Sequence, residues 1–204
     1  RGKFYVKGAP EQFKTLKEIA LALWYAWDLP AGMEPGLEAI AYFDPPDFNY
    51  PFGTHIALVE IDEQTGQVEV VRYVAVDDFG NVGNPMIVDG QTHGNIHFGI
   101  SQALFEKAVY DRDGRILTDE FTTYAIAKAS QLPEFELDRT VTPTPHNPLG
   151  AKGAGDVSIT AVPPAIVNAV CNALSDLGVT HIDMPVTPEK VWRVMRETPR
   201  NNDS

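Results

Sequence analysis

The feature that most limits the fold is a pair of β-branched, apolar runs, residues 54–62 and 67–76, separated by the turn-forming Glu63-Gln64-Thr65-Gly66. Runs joined in this way form an antiparallel hairpin, because a short glycine-containing turn fixes both the direction and the register of the returning strand. Val68, Val70, Val74 and Val76 alternate along the second run, so a regular strand places all four on one buried face. The chain is thereby committed to a sheet, and its remaining apolar stretches must cover that sheet.

Four helical patterns supply the cover. Thr15 and Glu18 have the spacing of a capping box, and Leu16, Ile19, Ala20, Leu23, Trp24 and Trp27 follow at helical intervals up to Pro30. A second helix is expected after Asp89-Gly90-Gln91, running to about residue 110 with Ile96, Ile100, Ala103 and Leu104 inward. Gly94 and Gly99 inside it each cost about 1 kcal/mol against alanine, so each should serve the close approach of another backbone or a cofactor. A third helix starts at Pro163 or Pro164, buries Ile166, Val167, Val170, Leu174 and Leu177 with Cys171 as core filler, and is capped by Gly178. The last begins at Thr187-Pro188-Glu189 and carries Val191, Trp192 and Met195.

Residues 1–12 read as extended and exposed, 37–42 as a short strand, 121–129 as a short helix, 135–141 as a strand and 198–204 as a polar, frayed tail. Between the first helix and the hairpin, prolines alternate with Tyr42, Phe43, Phe48, Tyr50 and Phe52 in a loop that is either locally packed or covered by another chain. The fold class is therefore α+β, or mixed α/β: a hairpin-based sheet packed with helices. We read residues 1–204 as one region, with the helix and aromatic loop in 1–53 and the core in 54–204.

A chain of 204 residues is long enough to bury a sizeable core. Its formal net charge of −12 argues against nucleic acid or an anionic membrane as partner, since both need basic patches. No apolar run is long enough to insert in a membrane, and the first residues lack the apolar segment of a signal peptide, so the expected location is cytoplasmic. The single cysteine, Cys171, excludes an internal disulfide and a cysteine-held cluster within this chain.

Two polar, glycine-rich loops stand out. The first, Asp77-Asp78-Phe79-Gly80-Asn81-Val82-Gly83-Asn84-Pro85, closes the second hairpin strand, where ligands often bind. The second is Asn147-Pro148-Leu149-Gly150-Ala151-Lys152-Gly153-Ala154-Gly155-Asp156, whose glycines let backbone N–H groups turn toward an anion just before an acid. Taken alone, Asp156 reads first as a helix-entry acid near the positive end of a helix dipole. Asp77 and Asp78 read as an ordinary turn or as a carboxylate pair, without the following acids of a calcium loop. His93 and His97 lie one helical turn apart, but Gly94 stands where a zinc site of the HExxH kind has glutamate, so we assign no metal ligand.

The order of these motifs, with Gly90-Gln91-Thr92-His93-Gly94, Thr140-Val141-Thr142-Pro143-Thr144-Pro145 and Asp183-Met184-Pro185-Val186-Thr187-Pro188, resembles the C-terminal part of the large subunit of molybdenum hydroxylases. Within that family, which includes xanthine and aldehyde oxidases, the similarity is greatest to the carbon monoxide dehydrogenase type. The resemblance implies a share in a site for molybdenum bound by a molybdopterin, in the cytosine dinucleotide form. It implies that Asp77, Asp78, Gly80 and Asn81 lie at the nucleotide end of the cofactor, that Gln91 faces it, and that Lys152, Gly153, Ala154 and Gly155 pass beside the metal. The family's general base is a glutamate after that last glycine. In this chain the position is held by Asp156, with the same carboxyl on a side chain one methylene shorter.

The implied reaction is hydroxylation or oxidation of a small substrate, such as carbon monoxide, an aldehyde or an N-heterocycle, with water as oxygen source. Electrons would pass to 2Fe-2S clusters on a small subunit and FAD on a medium subunit. The substrate-choosing N-terminal half of the large subunit is then a further partner, as a separate chain or a removed piece. The rival expectation is a scaffold or assembly subunit that keeps the fold without the chemistry.

Overall fold

The computed structural model describes residues 2–197 and divides the chain into two compact units, Arg1–Asp44 and Pro45–Ser204. The tail expected at 198–204 lies outside the described residues.

In the first unit, strands β1 (Lys3–Val6) and β2 (Ala9–Thr15) form an antiparallel ladder that leads into helix α1 (Leu16–Tyr25). The capping box is present in full: Thr15 Oγ1 accepts from the Glu18 N–H at 3.2 Å, and Glu18 Oε2 accepts from the Thr15 N–H at 2.7 Å. The helix stops at a left-handed Ala26, before Pro30 is reached. No strand forms at 37–42, because that segment pairs with neither β1 nor β2 and an isolated strand leaves its backbone groups unmade. None of the described residues of this unit is buried.

In the second unit the expected hairpin is β3 (Phe52–Ile61) with β4 (Val68–Asp78), and β5 (Phe135–Thr140) adds to β4 in parallel, giving the order β3-β4-β5. Only half of the valine expectation holds. A bulge sets Val71 and Arg72 against one β3 step, so the alternation slips by one residue: Val68 and Val70 are buried, and beyond the bulge Tyr73, Ala75 and Asp77 take the buried phase while Val74 and Val76 are only half-buried. The slip sends the Asp77 carboxyl inward.

Helix α2 (Pro85–Leu104) begins earlier than expected, since Asn84 caps it by accepting from the Ile87 N–H at 3.3 Å and Pro85 occupies the first turn, where its missing N–H costs nothing. Helix α3 (Val157–Ala173) also begins earlier, with Asp156 at its N-cap and Pro163 and Pro164 inside it. Val162, Ile166 and Val170 lie fully buried against Tyr73, Ile96 and Ile100, and this packing outweighs the local cost of an interior proline, about 3 kcal/mol. Gly99 is where the helices touch: a Cβ there would sit 2.3 Å from Val162 Cβ. At Gly94 a Cβ would meet nothing within 4 Å, so no close approach exists at that position among the described residues.

The helix expected at 121–129 is a series of turns, because Thr122 and Thr123 bond their hydroxyls to Glu120 and so compete with helical bonding. A short 3-10 turn, Ala129–Gln131, follows. Helix α4 (Pro188–Glu197) packs its fully buried Val191 into the core, and Gly178 in the left-handed conformation closes the 3-10 turn after α3. Cys171 packs against the core as expected. The fold is the expected mixture of helices and sheet.

Candidate active site

The two glycine-rich loops meet. Asn81 N–H and Thr144 N–H donate to the Gly150 carbonyl at 3.0 and 3.2 Å, and Lys152 N–H donates to the Phe79 carbonyl at 2.8 Å. Gly80 and Gly150 both have positive φ, and a Cβ on Gly80 would sit 2.3 Å from the Gly150 oxygen, so the junction requires glycine. The Asn81 amide adds a bond to the Leu149 carbonyl at 2.8 Å, and Asn147 brackets Ala151 from both sides.

Asp78 is the anchor beneath this junction. Fully buried, it accepts from Gly80 N–H and Lys152 Nζ, each at 3.0 Å, and from Thr140 Oγ1 at 2.9 Å. Burial alone would push its carboxyl up, but the bonds from Gly80, Lys152, Thr142 and Thr140 together outweigh burial and hold it well below the usual carboxylate range. Lys152 Nζ also lies 4.7 Å from the centre of the Phe52 ring. Its charge is thus engaged inside the loop junction.

Asp77, next in the strand, points to the other side. Its Oδ1 lies 3.1 Å from His55 Nε2, and its Oδ2 accepts from Ser158 Oγ at 2.6 Å. It lines a cleft of about 530 Å³ together with Phe52, Gly153, Gly155 and Asp156, and also a smaller one of about 290 Å³ with Asp89, His93 and Arg139. Asp156 is exposed at the larger cleft, and its side chain makes no capping bond although it holds the N-cap position of α3. The residue before it is tied to α2, for Asn95 Nδ2 donates to the Gly155 carbonyl at 2.6 Å.

Of the residues singled out from the sequence, Asp77, Gly153, Gly155 and Asp156 share one cleft, with Ala154 in the same loop. Asp78, Gly80, Asn81 and Lys152 form the junction behind it. Gln91 is exposed on α2 and lines neither cleft. His97 bonds the Ala127 carbonyl at 2.9 Å, and His93 the Asp89 carbonyl at 2.7 Å. Among the described residues no group of three or more His, Cys, Asp or Glu side chains could hold a metal ion, and no helix is long and apolar enough to cross a membrane.

A family model described as a molybdopterin cofactor-binding domain matches residues 1–133. The chain belongs to that family. It is 43% identical over 196 residues to the carbon monoxide dehydrogenase large chain of Hydrogenophaga pseudoflava, covering 96% of this chain and 24% of that one. Among solved structures, quinoline 2-oxidoreductase from Pseudomonas putida 86 matches with a TM-score of 0.87 and 37% identity over 97% of this chain and 25% of its own. Reconstituted CO dehydrogenase from Oligotropha carboxidovorans matches with a TM-score of 0.85 and 40% identity, covering 97% of this chain and 24% of that one. This molybdopterin-domain chain thus spans about a quarter of the length of the curated relatives it matches.

The residues present fit a bound cofactor. A Cβ on Gly153 or Gly155 would meet no protein atom within 4 Å, so the loop leaves its backbone open where both residues line the cleft.

Sequence reasoning missed His55, Asn95 and Ser158. Each carried a signal: Asn95 is a polar residue on the inward stripe of α2, His55 shares the inward phase of β3 with Ala57 and Val59, and Ser158 follows Asp156 by two residues.

Proposed function

We propose that this chain is part of the large subunit of a cytoplasmic molybdenum hydroxylase, and that Asp156 is its general base in a water-derived hydroxylation of a small substrate. The observation that carries the reading is that Asp156, whose side chain makes no capping bond, lines the cleft that Gly153 and Gly155 leave open. Molybdenum held by a molybdopterin cytosine dinucleotide would supply the two-electron acceptor when bound.

The chain's own residues have divided tasks. Gly153, Ala154 and Gly155 present backbone to the cofactor at close range, and Asp77, Asp78, Gly80 and Asn81 shape the end that receives its nucleotide. Lys152 and Asp78 hold the two loops in register. Gln91, exposed on α2 and outside both clefts, is left for a part of the cofactor that extends beyond them. Asp156 takes the proton of the attacking water-derived hydroxyl, a task for a positioned carboxylate. Atoms balance as R–H plus water giving R–OH, two protons and two electrons for an aldehyde or N-heterocycle, and as CO plus water giving CO2, two protons and two electrons for carbon monoxide, the electrons leaving for 2Fe-2S clusters and FAD on partner subunits. Residues 1–204 serve as one cofactor-binding region, and the remainder of the large subunit completes the substrate site and chooses among carbon monoxide, an aldehyde or an N-heterocycle.

The test is the molybdenum content and turnover of the complex containing this chain, with and without Asp156→Asn. Retained molybdenum and a turnover loss of about 100-fold to 10,000-fold are expected. A complex without molybdenum, or turnover indifferent to the change, overturns the reading. It would favour the scaffold alternative, for which the aspartate in the family's glutamate position is the supporting observation.

A further inference from the structure

We infer that Ser158, Asp77 and His55 form a buried positioning relay, which fixes the start of α3 and through it the Asp156 carboxyl against the end of β4. The inference rests on the base assignment proposed above and concerns what places that base.

The relay is continuous. Ser158, fully buried and second in α3, donates its hydroxyl to Asp77 Oδ2 at 2.6 Å, at the short, charge-assisted end of the range. Asp77 Oδ1 lies 3.1 Å from His55 Nε2, and His55 Nδ1 lies 2.8 Å from the Tyr73 hydroxyl. The side chains of His55 and Asp77 are 1% and 3% exposed, so each polar atom depends on these partners. A proton order that uses all of them has Tyr73 donating to His55 Nδ1, His55 donating from Nε2 to Asp77, and Ser158 donating to the other carboxyl oxygen. Burial and the neighbouring Asp77 hold the Tyr73 hydroxyl above its ordinary value, so it keeps the proton that this bond to His55 uses.

Opposite the relay stands Gly53, where a Cβ would lie 1.9 Å from Asp77 Oδ1. The strand carries glycine at the one place where Asp77 needs the space. On the other flank, Asn95 holds the Gly155 carbonyl at 2.6 Å. The backbone on both sides of Asp156 is thus pinned from two different elements, β4 and α2, while its carboxyl stays uncommitted. A carboxyl on a shorter side chain has less reach of its own, so its placement depends more on the backbone that carries it.

The experiment compares Ser158→Ala and His55→Gln with the unaltered protein, each alone and with Asp156→Asn, in the assembled, molybdenum-loaded complex. The readouts are backbone hydrogen exchange of residues 153–160, kcat and KM measured separately, and molybdenum content. Expected are faster exchange in that segment and unchanged molybdenum. With them kcat falls by about 10-fold to 100-fold, the scale of a misplacement of about 1 Å, KM stays unmoved, and no further loss appears in the Asp156→Asn background. Unchanged exchange in both variants overturns the relay, as does a kcat loss that persists undiminished in the Asp156→Asn background. If Asp156→Asn alone leaves turnover intact, the base assignment fails instead, and exchange still decides whether the relay holds α3.

Discussion

The side-chain amide of Asn95, on the inward stripe of α2, donates to the Gly155 carbonyl at 2.6 Å, and Asp156 is the next residue. Asn95→Ala removes the donor and should cost about 1 kcal/mol. Asn95→Asp sets an acceptor against an acceptor at the same place and should cost about 1 to 3 kcal/mol. Urea unfolding of the two variants beside the unaltered protein orders them, and midpoints equal to that of the unaltered protein would show that the bond contributes nothing.

Asp78 and Lys152 join the two loops through a pair whose side chains are 0% and 7% exposed. Asp78→Asn leaves a buried ammonium without its counter-charge and should destabilise by about 3 to 5 kcal/mol. Lys152→Met should cost less, because Gly80 and Thr140 continue to donate to Asp78. The difference between the two unfolding free energies is the quantity to measure.

The same carboxyl predicts acid sensitivity. Its folded pKa lies below its unfolded one, so its contribution is complete above the unfolded value of about 4 and is lost as pH falls through the folded value. Melting temperatures taken from about pH 5 down to about pH 2 should fall more steeply in the unaltered protein than in Asp78→Asn.

Gly99 and Gly94 separate two reasons for a glycine in one helix. Gly99→Ala drives a methyl into Val162 and should cost about 1 to 3 kcal/mol. A methyl at Gly94 meets nothing within 4 Å among the described residues, so in the isolated chain Gly94→Ala should stabilise by about 0.5 to 1 kcal/mol through helix propensity alone. A loss from Gly94→Ala that appears only in the assembled complex would locate a neighbour supplied by another part of the complex.

How far the sequence carried the fold depended on whether the deciding interaction was local. The capping box at Thr15 and the hairpin across Gly66 are settled within a few residues, and both were readable. The start of α2 is readable too, in Asn84-Pro85, but the expected helix begins only after Asp89-Gly90-Gln91. The start of α3 was not, because Pro163 looks like a first-turn residue until Val162 and Ile166 are seen buried against α2 and the sheet. In the site, the loops could be paired from their motifs. The bulge at Val71 could not be anticipated, and it is the bulge that turns Asp77 toward His55 and Ser158.

Among the described residues of the first unit none is buried, and Trp24 and Trp27 are 82% and 83% exposed while Trp192 is 41% exposed. These are the chain's three tryptophans, so its indole emission should be long-wavelength and readily quenched by iodide. Any protein surface that closes over α1 would shift that emission to the blue. The chain therefore carries an intrinsic optical reporter for any partner that covers α1.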